Sequence, residues 1–170
     1  TPKLEDCESE PVSSLFPSGR YISVLEALEK SPFSDMWNRK IWREGILLHT
    51  NSVELLDGSL ADANPAFEAG NLLISMRMPH MVAVLDPEQE KIVWAHTGAY
   101  RFQHDPSVLE NGRILVFDNN PAQEASAIVE IDPTSGEETL VYRGPESDPF
   151  YSETCGLAQR LPNGKTLITE

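Results

Sequence analysis

The sequence predicts an all-β fold built from a repeated four-stranded unit. Three observations predict it. From residue 46 onward, short apolar and β-branched runs alternate with turn residues at close spacing. A Gly-bearing turn and the strand after it occur three times, at residues 68–75, 110–117 and 162–169. Downstream of the first two, Val82-Ala83-Val84-Leu85-Asp86-Pro87 returns as Ile128-Val129-Glu130-Ile131-Asp132-Pro133, and each copy leads to a run with an aromatic residue, Trp94 or Tyr142. The period is roughly 40–50 residues, the size of one β-propeller blade. A twisted four-stranded sheet cannot cover both of its own faces, so neighbouring blades must cover them. The chain supplies about two and a half blades, near 46–96 and 104–143 with a half blade at 154–170. A closed propeller takes about 4–8. An open two-sheet all-β domain is the alternative the same strands permit.

In chain order, residues 1–45 read as a lead-in. Residues 1–20 are polar and hold Pro2, Pro11 and Pro17, which suits an irregular segment. Ser23-Val24-Leu25-Glu26 has capping-box spacing and predicts a short helix lined by Leu25, Ala27 and Leu28, ending before Pro32. Residues 33–45 carry Phe33, Trp37, Ile41 and Trp42 among charges, and fit a helix or a covering loop equally well. The expected strands are 46–49 running into 52–56, then 72–75, 81–85, 92–95, 107–109, 114–117, 127–131, 139–142 and 166–169. The turns between them are Asp57-Gly58, Gly70-Asn71, Asp86-Pro87, Asn111-Gly112, Asp132-Pro133 and Asn163-Gly164.

The 170 residues suit one domain with a real core, and 40% hydrophobic with 24% charged residues is ordinary for a globular chain. The charge is not: 27 acidic against 13 basic residues give a net −14. That balance argues against nucleic acid and anionic membranes as partners. No apolar run approaches the ~20 residues of a membrane span. The chain opens at Thr1-Pro2 and stops inside a strand, so a segment of a longer protein is expected. Cys7 and Cys155 are far apart and form no metal-ligand pattern, and two reduced thiols are expected.

Chemistry-bearing side chains concentrate between residues 49 and 119. Superposing Ser52-Val53 on Ser107-Val108 puts His49 and His104 at one position of the unit, where the third copy has Gly156. The scaffold therefore does not demand histidine there. Arg77 follows the strand Leu72-Leu73-Ile74-Ser75-Met76, and a guanidinium suits an oxyanion. His80, in a turn, and His96, at a strand end, read as structural. A metal site from His49, His104 and Asp105 lacks ligand-pair spacing. Neither GxSxG nor a nucleotide-binding glycine loop is present.

The phrases His49-Thr50-Asn51-Ser52, Ile74-Ser75-Met76-Arg77, Gln103-His104-Asp105, Val116-Phe117-Asp118-Asn119 and the run 158–168 together resemble the arylsulfotransferase family, the bacterial type that uses no nucleotide sulfate donor. The resemblance covers residues 46–170. It implies a six-bladed propeller in the periplasm or outside the cell. It also implies aryl sulfate and phenol as substrates, and no cofactor or metal. By motif, His104 looks like the transiently sulfurylated histidine. His49 and Arg77 look like the groups that hold the sulfuryl oxygens, with protonated His49 and Arg77 stabilising charge on those oxygens and on the leaving phenolate. The alternative is a non-catalytic propeller that binds a protein or ligand. A metal or quinone propeller enzyme is a third class.

Overall fold

The computed structural model describes Gly19 and residues 21–36 and 48–169. The expectations for residues 1–18, for Trp37, Ile41 and Trp42, for the strand start at Ile46, and for a pairing of Cys7 lie outside those residues. Helix α1 (Val24–Glu29) forms where the capping spacing placed it. The Ser23 hydroxyl accepts the Glu26 N–H at 3.3 Å, and Val24, Ala27 and Leu28 are buried. A single 3₁₀ turn follows at Ser34–Met36.

The rest is all-β. Strands β1 (Thr50–Leu55), β2 (Leu72–Met76), β3 (Met81–Asp86) and β4 (Lys91–Thr97) pair in sequence order as an antiparallel sheet. Strands β5 (His104–Val108), β6 (Ile114–Asp118), β7 (Ala127–Ile131) and β8 (Glu138–Arg143) repeat that order in a second sheet. Strands β9 (Leu157–Arg160) and β10 (Thr166–Thr169) make a third, two-stranded sheet. Strand β9 is absent from the sequence-predicted strands because Ala-Gln-Arg carries no β-branched or aromatic signal.

Every residue of β2, β6 and β7 is buried, which explains why these strands read as continuous apolar runs instead of alternating ones. Both faces of the two four-stranded sheets carry buried packing. On the first sheet, Ile74, Met76, Ala83 and Leu85 pack with α1, while Leu73, Val82 and Val84 pack against Ile114, Val116, Val129 and Ile131 of the second. The opposite face of the second sheet, Leu115, Phe117 and Ile128, meets Phe150, Ala158 and Ile168.

The repeated turns work by repeated chemistry. Asp86 Oδ1 accepts the Glu88 and Gln89 N–H groups at 2.8 and 2.9 Å, and Asp132 Oδ1 accepts those of Thr134 and Ser135 at 2.8 and 3.2 Å. Asn111 and Asn163 each accept the N–H two residues on, at 3.1 and 3.0 Å.

The ladder register corrects one expectation. Leu48 and Arg101 make the same backbone bond, accepting Met78 N–H and Asn120 N–H, each at 3.1 Å. Leu56 and Leu109 also correspond, donating to Asn71 and Arg113 at 2.8 and 2.9 Å. Between these two fixed points His49 corresponds to Phe102, and His104 to Asn51. His49 and His104 therefore do not share a position. Ser52 faces Ser75 whereas Ser107 faces Leu115, so superposing the two Ser-Val pairs slips the register. The two Ser-Val pairs lie 55 residues apart in sequence whereas both bonded anchors lie 53 apart, so the like-looking dipeptides are not equivalent. Each ladder carries an irregularity at about the same place, between Thr50 and Ser52 and between His104 and Ser107. The match of His104 with Gly156 stands, because Leu161 N–H bonds Lys165 at 2.8 Å as Leu109 bonds Arg113.

Candidate functional site

His104 opens β5 at the junction of all three sheets. The loop before it is pinned from two sides. Arg101 N–H donates to Asp118 Oδ1 at 2.8 Å, and Phe102 N–H donates to His80 Nδ1 at 3.0 Å. Gln103 is fully buried, and its amide donates to Ser75 Oγ, Met76 O and Met81 O at 3.1, 3.1 and 3.0 Å. Its carbonyl accepts Asn51 Nδ2 at 2.8 Å. The residue beside His104 is thus bolted into the first sheet, and His104 inherits that rigidity. Burial pushes the Asp118 carboxyl up to about 6, against the pull of its bond from Arg101 and of the Arg143 and Arg101 charges.

The ring of His104 is held at one nitrogen. Its Nδ1 lies 2.7 Å from Asn119 Oδ1 and 3.0 Å from the Phe102 carbonyl. The Asn119 amide is oriented by its own nitrogen, which donates to Ser152 O at 2.7 Å and Cys155 O at 2.6 Å. Its oxygen therefore faces the imidazole. Both neighbours of Nδ1 are acceptors only, so Nδ1 carries the hydrogen. In the neutral ring Nε2 then holds the lone pair.

Arg77 and His49 meet through the backbone, Arg77 N–H donating to the His49 carbonyl at 3.1 Å. The half-buried Arg77 guanidinium stands 4.6 Å over the Phe102 ring and makes a 3.8 Å contact from Nη1 to Met78 Sδ. Among the described residues no carboxylate neutralises it. His49 is exposed and sits at φ 48°. Partial desolvation, then the charge of Arg77, then that of His104, hold its pKa below the ordinary value. His49 thus lies within electrostatic reach of both Arg77 and His104. The direction favours the neutral imidazole at His49. Among the described residues no three His, Cys, Asp or Glu side chains gather as a metal site, and no helix is long and apolar enough to cross a membrane.

Three contributors escaped the sequence reading. Asn119 stands in one of the family-like runs, but its partner His104 is remote in sequence. Phe102 has no polar side-chain atom to offer. His80 sits in a turn, where a histidine reads as structural. His96 is held by Tyr100 Oη at 3.2 Å and the Gly136 carbonyl at 3.1 Å, away from this cluster.

The third copy shows why it has no histidine. Gly156 adopts φ 142°, and any side chain there would run into the Phe117 ring. The counterpart of Phe117 in the first sheet is Ser75, which is small and hydrogen-bonds Gln103. A small residue behind His104 and a large one behind Gly156 divide the same space in opposite ways.

A family model described as Arylsulfotransferase (ASST) matches residues 21–170. The chain belongs to the arylsulfotransferase family. The match begins just ahead of α1 and so takes in the helix as well as the strands. No curated protein and no solved structure matches the chain.

Proposed function

We propose that the chain transfers a sulfuryl group from a phenolic sulfate ester to a phenol, with His104 carrying the group between them. The observation that carries this reading is the pair of acceptors on His104 Nδ1, which leaves Nε2 as a neutral nucleophile. Nε2 attacks sulfur, the sulfur–oxygen bond to the aryl group breaks, and the phenolate leaves with the electron pair. The hydrogen stays on Nδ1, donated to Asn119 Oδ1 and the Phe102 carbonyl, which offset the positive charge the ring gains. In the second half, the acceptor oxygen attacks sulfur, the nitrogen–sulfur bond breaks, and its electrons return to Nε2. Arg77 binds the sulfuryl oxygens, whose charge it meets unpaired. Neutral His49 takes the acceptor phenol's proton. The sheets are read as consecutive blades of a propeller, which their face-to-face packing and repeated turns support.

The test is mass spectrometry of the protein after exposure to 4-nitrophenyl sulfate. A sulfuryl adduct on His104 is expected, with release of 4-nitrophenol. If neither adduct nor phenol appears, the reading fails.

A further inference from the structure

We propose that His80 is a positioning residue that sets the tautomer of His104 through the backbone of Phe102. The inference rests on the role given to His104 above and adds a residue to that site. His80 Nδ1 accepts the Phe102 N–H at 3.0 Å, and the Phe102 carbonyl lies 3.0 Å from His104 Nδ1. One residue thus joins the two imidazoles by its N–H and its C=O.

The backbone of Phe102 makes the link informative. Its φ is 56°, a left-handed conformation that is costly for a bulky aromatic residue. Something must hold it there. The His80 ring packs edge-on against the Phe102 ring at 4.6 Å, while Arg77 covers the same ring at 4.6 Å. Both contacts fix the side chain. The peptide before Phe102 is held at its carbonyl end by Asn120 N–H on Arg101 O and at its N–H end by His80. Without the His80 bond that peptide is held at one end only, Phe102 can relax toward negative φ, and its carbonyl swings off His104.

The charge around His80 suits this work. An acceptor must be unprotonated, and the groups facing His80 are cationic. Burial acts first and the charge of Arg101 second to keep its pKa low, and Arg77 adds to them; a backbone bond with Arg77 opposes. His80 itself stands at φ 54°, where glycine, asparagine and aspartate are tolerated best and other residues at some cost.

The experiment compares His80→Gly with His80→Asn in the full chain. The glycine removes the acceptor, and the asparagine oxygen restores one that cannot titrate. Nitrogen-15 NMR of the His104 ring reports which nitrogen is protonated, independently of any turnover. In His80→Gly the single Nδ1-protonated form should give way to a mixture. Transfer from 4-nitrophenyl sulfate should lose about tenfold in kcat with KM little changed, the scale of one hydrogen bond. In His80→Asn both should return. Unchanged His104 nitrogen shifts and kcat in a folded His80→Gly would overturn the proposal. Should that variant not fold, His80→Gln decides, because its longer side chain overshoots Phe102 N–H. Equal kcat in the Gln and Asn variants would then overturn it. A tautomer change in a protein without sulfuryl transfer would remove the proposed function and leave the positioning role standing.

Discussion

Asn119 and His104 meet at 2.7 Å across two ends of neighbouring strands, and the contact fixes which nitrogen of the imidazole is free. Replacing Asn119 by Ala removes the stronger of the two acceptors on Nδ1. Sulfuryl transfer should fall roughly 10- to 100-fold, mostly in kcat, as happens when a partner orienting a reactive histidine is lost. Steady-state kinetics with 4-nitrophenyl sulfate measure it. An unaltered kcat would show that the Phe102 carbonyl suffices.

Arg77→Lys keeps the charge and loses the planar fork that can grip two sulfuryl oxygens at once. It also loses stacking on Phe102. KM for the donor should rise and kcat fall, with kcat/KM lower by about a hundredfold. Isothermal titration with a non-hydrolysable aryl sulfonate separates the binding part from the chemical part.

Gly156→Ala should destabilise the fold by about 1–3 kcal/mol, because the added methyl meets the Phe117 ring and φ 142° disfavours a side chain. Chemical denaturation reads the loss. Pairing it with Phe117→Leu should recover part of it, since the two residues divide one space. Simple additivity of the two changes would show that they do not.

Asp118→Asn should remove a loss of stability that the wild type suffers as pH rises from about 4 to 6. The folded pKa, about 6, lies above the ordinary carboxyl value of 3.8. Between the two the folded state binds more protons than the unfolded one. Asp118 therefore costs stability as pH rises through that window, and the cost is complete above pH 6. The asparagine keeps an acceptor for Arg101 N–H and carries no charge. His49 and His80 act in the opposite sense. Their lowered pKa values contribute stability that is present above 6.5 and lost as pH falls. Denaturation midpoints across pH 4–7.5 for wild type and Asp118→Asn isolate the carboxyl.

The strands were legible in the sequence because turn chemistry is local. Asp86 and Asp132 bond their own next neighbours, so a short motif carries the whole instruction. The capping box of α1 was legible for the same reason. His49, Arg77 and His104 could be named because imidazole and guanidinium declare their chemistry in any setting. What stayed hidden was relational. The true partner of His49 in the repeat is Phe102, and the like-looking Ser52-Val53 and Ser107-Val108 pairs conceal this. The downward pKa shift of His49 arises from partial desolvation and from charges that approach only in the fold. The role of Asn119 depends on carbonyls at 152 and 155.

Those two carbonyls have a consequence for timing. A ribosome releases residues 104 and 119 well before 152 and 155. Until the later segment arrives, nothing obliges the Asn119 carboxamide to turn its oxygen inward. With its NH₂ inward it would set a donor against Nδ1, opposite the acceptor that the Phe102 carbonyl offers there. The orientation of one carboxamide thus waits on carbonyls 33 and 36 residues further along the chain.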